Sequence, residues 1–205
     1  MNKYCLTDET MTVDGKKLHR IKALIDIPIY GVKAGDLGGW IESEKNLLQI
    51  GNAWVANHAM VYMNAKVLEN AIVWGGAQVS GQAAIIGDAN VCGKAIIADD
   101  VSVNDHVTIC DNAHLAEKVR VSGNAHIGGF AYLRGNAIVH GDASVVDCAE
   151  VYGNAKIGGF ARILGRSKVY ENAQVSDFAL ISGNVRIFGE SIIAGFSHIT
   201  SYVTN

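Results

Sequence analysis

GNAKIGGFARILGRSKVYENAQVSDFALIS, residues 153–182, divides without remainder into GNAKIG, GFARIL, GRSKVY, ENAQVS and DFALIS. Each piece has a small residue third and an aliphatic residue fifth. The same count extends outward in both directions. From Gly51 it runs through twenty-five hexads without an insertion, and SYVTN begins a twenty-sixth. Across the 25, position five is always Val, Ile or Leu. Position three is Ala 18 times, Val 4 times and Ser 3 times, while position one is Gly 15 times and Asp or Glu 8 times.

A helix needs apolar residues about 3.6 apart, which a six-residue count does not supply. Inside each hexad the A-x-V core alternates with period two, the mark of a very short strand with one buried face. Between the strands lies a corner rich in Gly, Asn and Asp, residues that tolerate positive φ. Strand and corner at a fixed six-residue step describe a hexapeptide β-helix. The expected fold is therefore all-β: a single-stranded, three-sided parallel solenoid of about 8–9 coils over residues 51–205, preceded by a cap over residues 1–50.

Three hexads per triangular coil would place residues 18 apart above one another. Phe160, Phe178 and Phe196 then form one ladder at position two. Tyr152, Tyr170 and Phe188 form another at position six, and Asn136, Asn154 and Asn172 a third. The GGF motif recurs after 30 residues, which moves Phe130 to a different face from Phe160. Each coil would turn three aliphatic side chains inward, worth about 1.5–3 kcal/mol apiece before ordering costs. Backbone amides are all needed between coils, consistent with no Pro after Pro28. Ile157→Asp is expected to unfold several adjacent coils.

Ile127-Gly128-Gly129-Phe130-Ala131 and Ile157-Gly158-Gly159-Phe160-Ala161 resemble the repeat of the left-handed parallel β-helix family: an aliphatic residue, often Gly next, and a small residue four positions on. Elsewhere the residue after the aliphatic is larger, as at Trp74 and Tyr170. The resemblance covers residues 51–205 and implies a left-handed winding. Within that superfamily, LHRIKALIDIPIYGVKAGDLGGWIESEKNLLQIGNAWV looks like the opening of the YdcK-type bacterial and phage proteins, grouped with transferases by fold.

Residues 1–50 break the count. YCLTDETMTVDGKKLHRIKALIDI reads as a β-hairpin around Asp14-Gly15, a type I′ turn signal. A solenoid needs its first coil covered, and this segment supplies the cover, with Trp40 expected over the first coil. GDLGG lacks the Gly-Lys-Ser/Thr ending of a phosphate-binding loop and reads as a tight turn. SHITSYVTN carries no closing device, so a homo-oligomer is expected, as a side-by-side trimer or an end-to-end dimer.

Composition narrows the function. A net charge of −3 gives no global basic field for nucleic acid, and no stretch approaches the apolar length of a membrane span. Neither a signal peptide nor a dense cysteine framework is visible, so a reducing, cytoplasmic location is expected. Cys92 and Cys110 are 18 apart and read as stacked free thiols. The seven histidines include no pair 18 apart, and neither a metal nor another cofactor is called for.

The hexapeptide acyltransferases that the fold resembles use a histidine at a coil edge and a loop extruded over the acyl donor. Here no loop leaves the count. His114, His126 and His140 fall at outward positions and are the candidates for a general base in an intersubunit groove. A stronger candidate surface lies in the second half: Arg134, Arg166, Lys168 and Arg186 beside the Tyr152, Tyr170, Phe188 ladder, suited to an anionic ligand or an acidic protein patch. The alternative is a stiffened corner with its charges neutralised by Glu150 and Glu171. The Phe160, Phe178, Phe196 ladder is the candidate oligomer contact, with its ring direction open. Three functions remain: a binding scaffold without catalysis, put first; an acyltransferase using acyl-coenzyme A; and a structural rod.

Overall fold

A computed structural model describes residues 2–200; the partial hexad SYVTN and the expected open end lie outside the described residues. From Trp54 to Ile199 each of the 25 hexads contributes one two-residue strand, and these strands stack in parallel on three sheets. The first face begins at Trp54–Val55 and ends at His198–Ile199. The second runs from Met60–Val61 to Arg186–Ile187, and the third from Lys66–Val67 to Ile192–Ile193. The register is 18 residues throughout, as in Glu150 against Lys168 and Lys156 against Gln174. The chain is a parallel β-solenoid of about nine turns.

The hexad positions divide the physical tasks. Residues at positions three and five fill the core, so Ala155, Ile157, Ala161 and Ile163 are all fully buried. Ile157 therefore has no route to solvent for an introduced charge. Amides at positions two, four and six donate to the coil below, for example Phe160 N to Asp177 O at 2.6 Å and Arg162 N to Ala179 O at 2.9 Å. Amides at position three close the turn, as Ala161 N does onto Gly158 O at 3.2 Å.

The position-one amide is satisfied in a way the repeat count did not suggest. All eight acidic residues at position one sit in the left-handed region, and the carboxylates of seven of them, Glu69 apart, accept the amide of the residue 18 further on. Asp99 takes Glu117 N, Asp105 takes Gly123 N, and Asp147 takes Gly165 N, each at 2.9 Å. Asp111, Glu117, Glu171 and Asp177 do the same at 2.8–3.0 Å. These acids do more than tolerate positive φ; they tie one coil to the next through an otherwise orphan donor. The Asn136, Asn154, Asn172 ladder forms as expected, each amide donating to the next at 3.0 and 2.9 Å.

The N-terminal hairpin is present as β1 (Tyr4–Val13) and β2 (Lys16–Ala23), antiparallel. Asp14 and Gly15 have φ of 49° and 74°, both positive as a type I′ turn requires. β3 (Leu37–Ile41) then pairs antiparallel with β2 and parallel with Met60–Val61, so the hairpin extends the second face. Two expectations need correction here. GDLGG is not simply a turn: Gly35 turns with φ 99°, but Gly38 and Gly39 lie within β3. A Cβ on Gly38 would stand 2.6 Å from the Val55 carbonyl oxygen, so these glycines let β3 press onto the first coil. Trp40 does not cover the coil mouth; it points sideways into a small cluster with Leu18 and Tyr62, with Arg20 over its ring at 5.5 Å. Period two decides this, because Ile41 is the residue of β3 that turns inward. Tyr4, Ile27, Ile41, Leu47 and Trp54 join the main core instead.

Candidate binding surface

Face bookkeeping becomes geometry on the second face. Position six there carries Arg134, Tyr152, Tyr170 and Phe188 in one column, a coil apart. The Tyr152 and Tyr170 rings stack with centroids 4.8 Å apart and planes 6° apart. Tyr170 and Phe188 follow at 5.4 Å and 15°. The Arg134 guanidinium caps the stack, 4.5 Å from the Tyr152 centroid and 5.9 Å from that of Tyr132. Ladder formation follows from the strand spacing, which brings flat side chains at equal positions to near contact distance.

Charge is unevenly matched along this face. Lys168 pairs with Glu150 at 2.7 Å, so that lysine is neutralised as the alternative reading supposed. Glu171 directs an oxygen to Gly189 N rather than to a cation. Among the described residues Arg134, Arg166 and Arg186 form no ion pair. Arg186 is exposed on the face itself. Arg166, also exposed, sits at position two, four residues or roughly 13 Å along the strand from the aromatic column. It belongs to the opposite corner of the face. Burial, and then Tyr170 beside it, push the Tyr152 phenol above its ordinary pKa, so its hydroxyl proton stays in place at neutral pH.

The histidines stand apart from one another. His114 is half-buried on the second face and stacks on Tyr132, with centroids 5.0 Å apart. His126 is exposed on the first face. His140 is exposed at the end of the third face, and its ring covers Gly158, where a Cβ would lie 2.4 Å from it. No group of three His, Cys, Asp or Glu side chains among the described residues is arranged to hold a metal ion.

The Phe160, Phe178, Phe196 ladder faces outward. Its rings stack at 4.9 Å with planes 1° and 4° apart, and they are 51%, 51% and 85% exposed. Phe130 is on a different face, also exposed. Cys92 and Cys110 are free thiols one coil apart on the first face. Burial, followed by the Asp111 carboxylate, pushes Cys110 up to about 11, which keeps it a protonated, unreactive thiol at neutral pH.

The chain matches no family model and no curated protein. Function must therefore be argued from surfaces. A hollow of about 510 Å³ is lined by Arg186, Phe188, Glu190 and Ile192 in the last described turns. Sequence reasoning missed one member of the basic and aromatic surface, Tyr132, which lies within reach of the Arg134 guanidinium. No 18-residue step joins those two residues; the contact needs the sideways reach of an arginine.

Proposed function

We propose that this protein is a rigid binding scaffold without a catalytic centre of its own, of the hexapeptide-repeat, YdcK-like kind that its sequence resembles. Its second face takes an anionic partner. The observation that carries this reading is the Arg134-capped stack of Tyr152, Tyr170 and Phe188, beside an exposed Arg186 with no carboxylate partner among the described residues. Cations and rings held rigidly by the solenoid bind with little ordering cost, and the backbone of Arg134, Tyr152 and Tyr170 is laddered to the next coil. An acyltransferase draws less support: the hexads run without an extruded loop through the described residues, and His114, His126 and His140 lie on three different faces. Self-association is a separate proposal that rests on the exposed Phe160, Phe178, Phe196 ridge.

Binding of dextran sulfate, with neutral dextran as the control, tests the scaffold reading. Wild type should bind the sulfated polymer, and Arg134→Gln with Arg186→Glu should weaken it at least tenfold with an unchanged melting temperature. Equal binding by wild type and variant would remove the second face from consideration. A titration with acetyl-coenzyme A, read by calorimetry, should be silent; saturable binding would favour the acyltransferase.

A further inference from the structure

The aromatic column has a period, and the period discriminates among anionic partners. Its ring centroids are 4.8 and 5.4 Å apart, with Arg134 4.5 Å above the first ring. Near-parallel planes mean that each ring's face is occupied by its neighbour. A ligand lying along the column therefore meets ring edges and the two phenol hydroxyls of Tyr152 and Tyr170. Ring edges carry partial positive charge, and a phenol both donates and accepts. The adjacent column adds Lys168, held by Glu150, and Arg186, which forms no ion pair among the described residues. Nearby carboxylates are engaged elsewhere, Glu117 on Gly135 N and Glu171 on Gly189 N. The column itself thus offers a cation or hydroxyl at three of four successive coils, and Arg186 supplies a cation beside the fourth, with a spacing close to 5 Å.

Candidate polyanions differ in how they keep step with that spacing. An extended acidic peptide presents same-side carboxylates every two residues, roughly 6.6 Å, and slips by more than 3 Å after two rungs. Nucleic-acid strands in a duplex advance roughly 3.4 Å per phosphate and slip the other way. An extended 1,4-linked chain of pyranose rings advances by about one rung per sugar. If its sugars are uronic acids wound so that every third sugar turns the same side to the edge, carboxylates recur three rungs apart, as the coils of Arg134 and Arg186 do, and the sugars between present hydroxyls.

We propose that the edge from Arg134 to Phe188 binds a linear β-1,4-linked polyuronate, laid parallel to the solenoid axis with one sugar per coil. This rests on the anion-binding reading above and narrows it. Arg134 and Arg186 hold carboxylates at the two ends, and the Tyr152 and Tyr170 hydroxyls bond sugar hydroxyls between them.

Calorimetric titration with mannuronate monomer, dimer, tetramer and hexamer, and separately with poly-L-glutamate, tests it. Affinity should rise at least tenfold from monomer to tetramer, as linked contacts act together, and then level off. Tyr170→Phe keeps the ring stack and should weaken the tetramer by about threefold to tenfold, the loss of one or two hydrogen bonds to a fixed partner. Tetramer binding no tighter than monomer, or unaffected by Tyr170→Phe, overturns the register. Binding of polyglutamate but not tetramannuronate overturns the glycan and leaves the anion-binding reading standing. If neither binds, while dextran sulfate also fails, both readings fall together.

Discussion

The Asp147 carboxylate accepts a 2.9 Å hydrogen bond from the amide of Gly165, the residue one coil below, while Asp147 itself holds φ at 61°. Two demands meet in one side chain. The corner needs a residue that tolerates the left-handed region, and the amide beneath needs an acceptor that the strand ladders do not provide.

Substitutions at Asp147 separate those demands. Asp147→Asn keeps an acceptor and should cost under about 0.5 kcal/mol, whereas Asp147→Gly loses the bond but relieves the backbone, at a cost of about 1 kcal/mol. Asp147→Ala loses both and should cost about 2–3 kcal/mol. Thermal melts of the three variants should fall in that order. An alanine variant that melts with the wild type would show that the amide needs no partner.

Gly38 controls how closely the cap meets the first coil. A Cβ there would stand 2.6 Å from both Val55 O and Ile21 Cγ1, and 2.7 Å from Trp54 Cζ2. Gly38→Ala should destabilise the cap by about 2 kcal/mol, through forced shifts of a packed wall. Hydrogen exchange should quicken in β1 to β3 and remain slow in the coils around Ile157. Uniform loss of protection along the solenoid would mean that cap and coils unfold as one unit.

Lys3 introduces a pH dependence. It is almost fully buried, its Nζ donates to the Ala53 carbonyl at 2.8 Å, and burial lowers its pKa from 10.5 to about 8. Between those values the unfolded chain holds a proton that the folded chain has released. Raising pH through that window therefore favours the fold, and below about 8 the cost of burying the charge is present in full. The Cys110 thiol, raised from 9.0 to about 11, acts with the opposite sign, and so does the Tyr4 phenol, held above its ordinary 10.0 by burial and then by Glu44. Comparing wild type with Lys3→Met isolates the lysine. The difference in urea midpoint should move in favour of wild type from pH 8 to 10; a constant difference would mean that Lys3 keeps its proton when folded.

The Phe160, Phe178, Phe196 ridge is the proposed contact between copies. Three stacked rings, each half exposed or more, form a continuous apolar stripe rather than scattered surface residues. Sedimentation equilibrium of wild type should give a mass above 21.8 kDa at micromolar concentration, and Phe178→Ser with Phe196→Ser should return it to the single-chain value. Wild type already at 21.8 kDa would discard the ridge as a self-association surface.

Much of this molecule was legible before any coordinates. The hexad count alone carries the three sheets, the 18-residue register, the buried Ile157, the stacking of Tyr152 on Tyr170 and the separation of Phe130 from Phe160. Legibility failed where the repeat was silent. Residues 1–50 have no period from which to infer neighbours, so Gly38 and Gly39 read as a turn and Trp40 as a lid. The acidic corners read as conformational tolerance because a bond between Asp147 and Gly165 involves two different residue types, which a search for like-over-like ladders does not join.

The sequence by itself determined the winding, since one inward aliphatic residue every six positions leaves a short-runged, three-sided spring as the way to bury them all. Tertiary structure alone decided which charges are free. Lys168 and Arg186 occupy the same position one coil apart, yet Glu150 lies beside the first and no carboxylate among the described residues reaches the second. That difference is a matter of side-chain reach over a few ångströms, and a count of six carries no information about it.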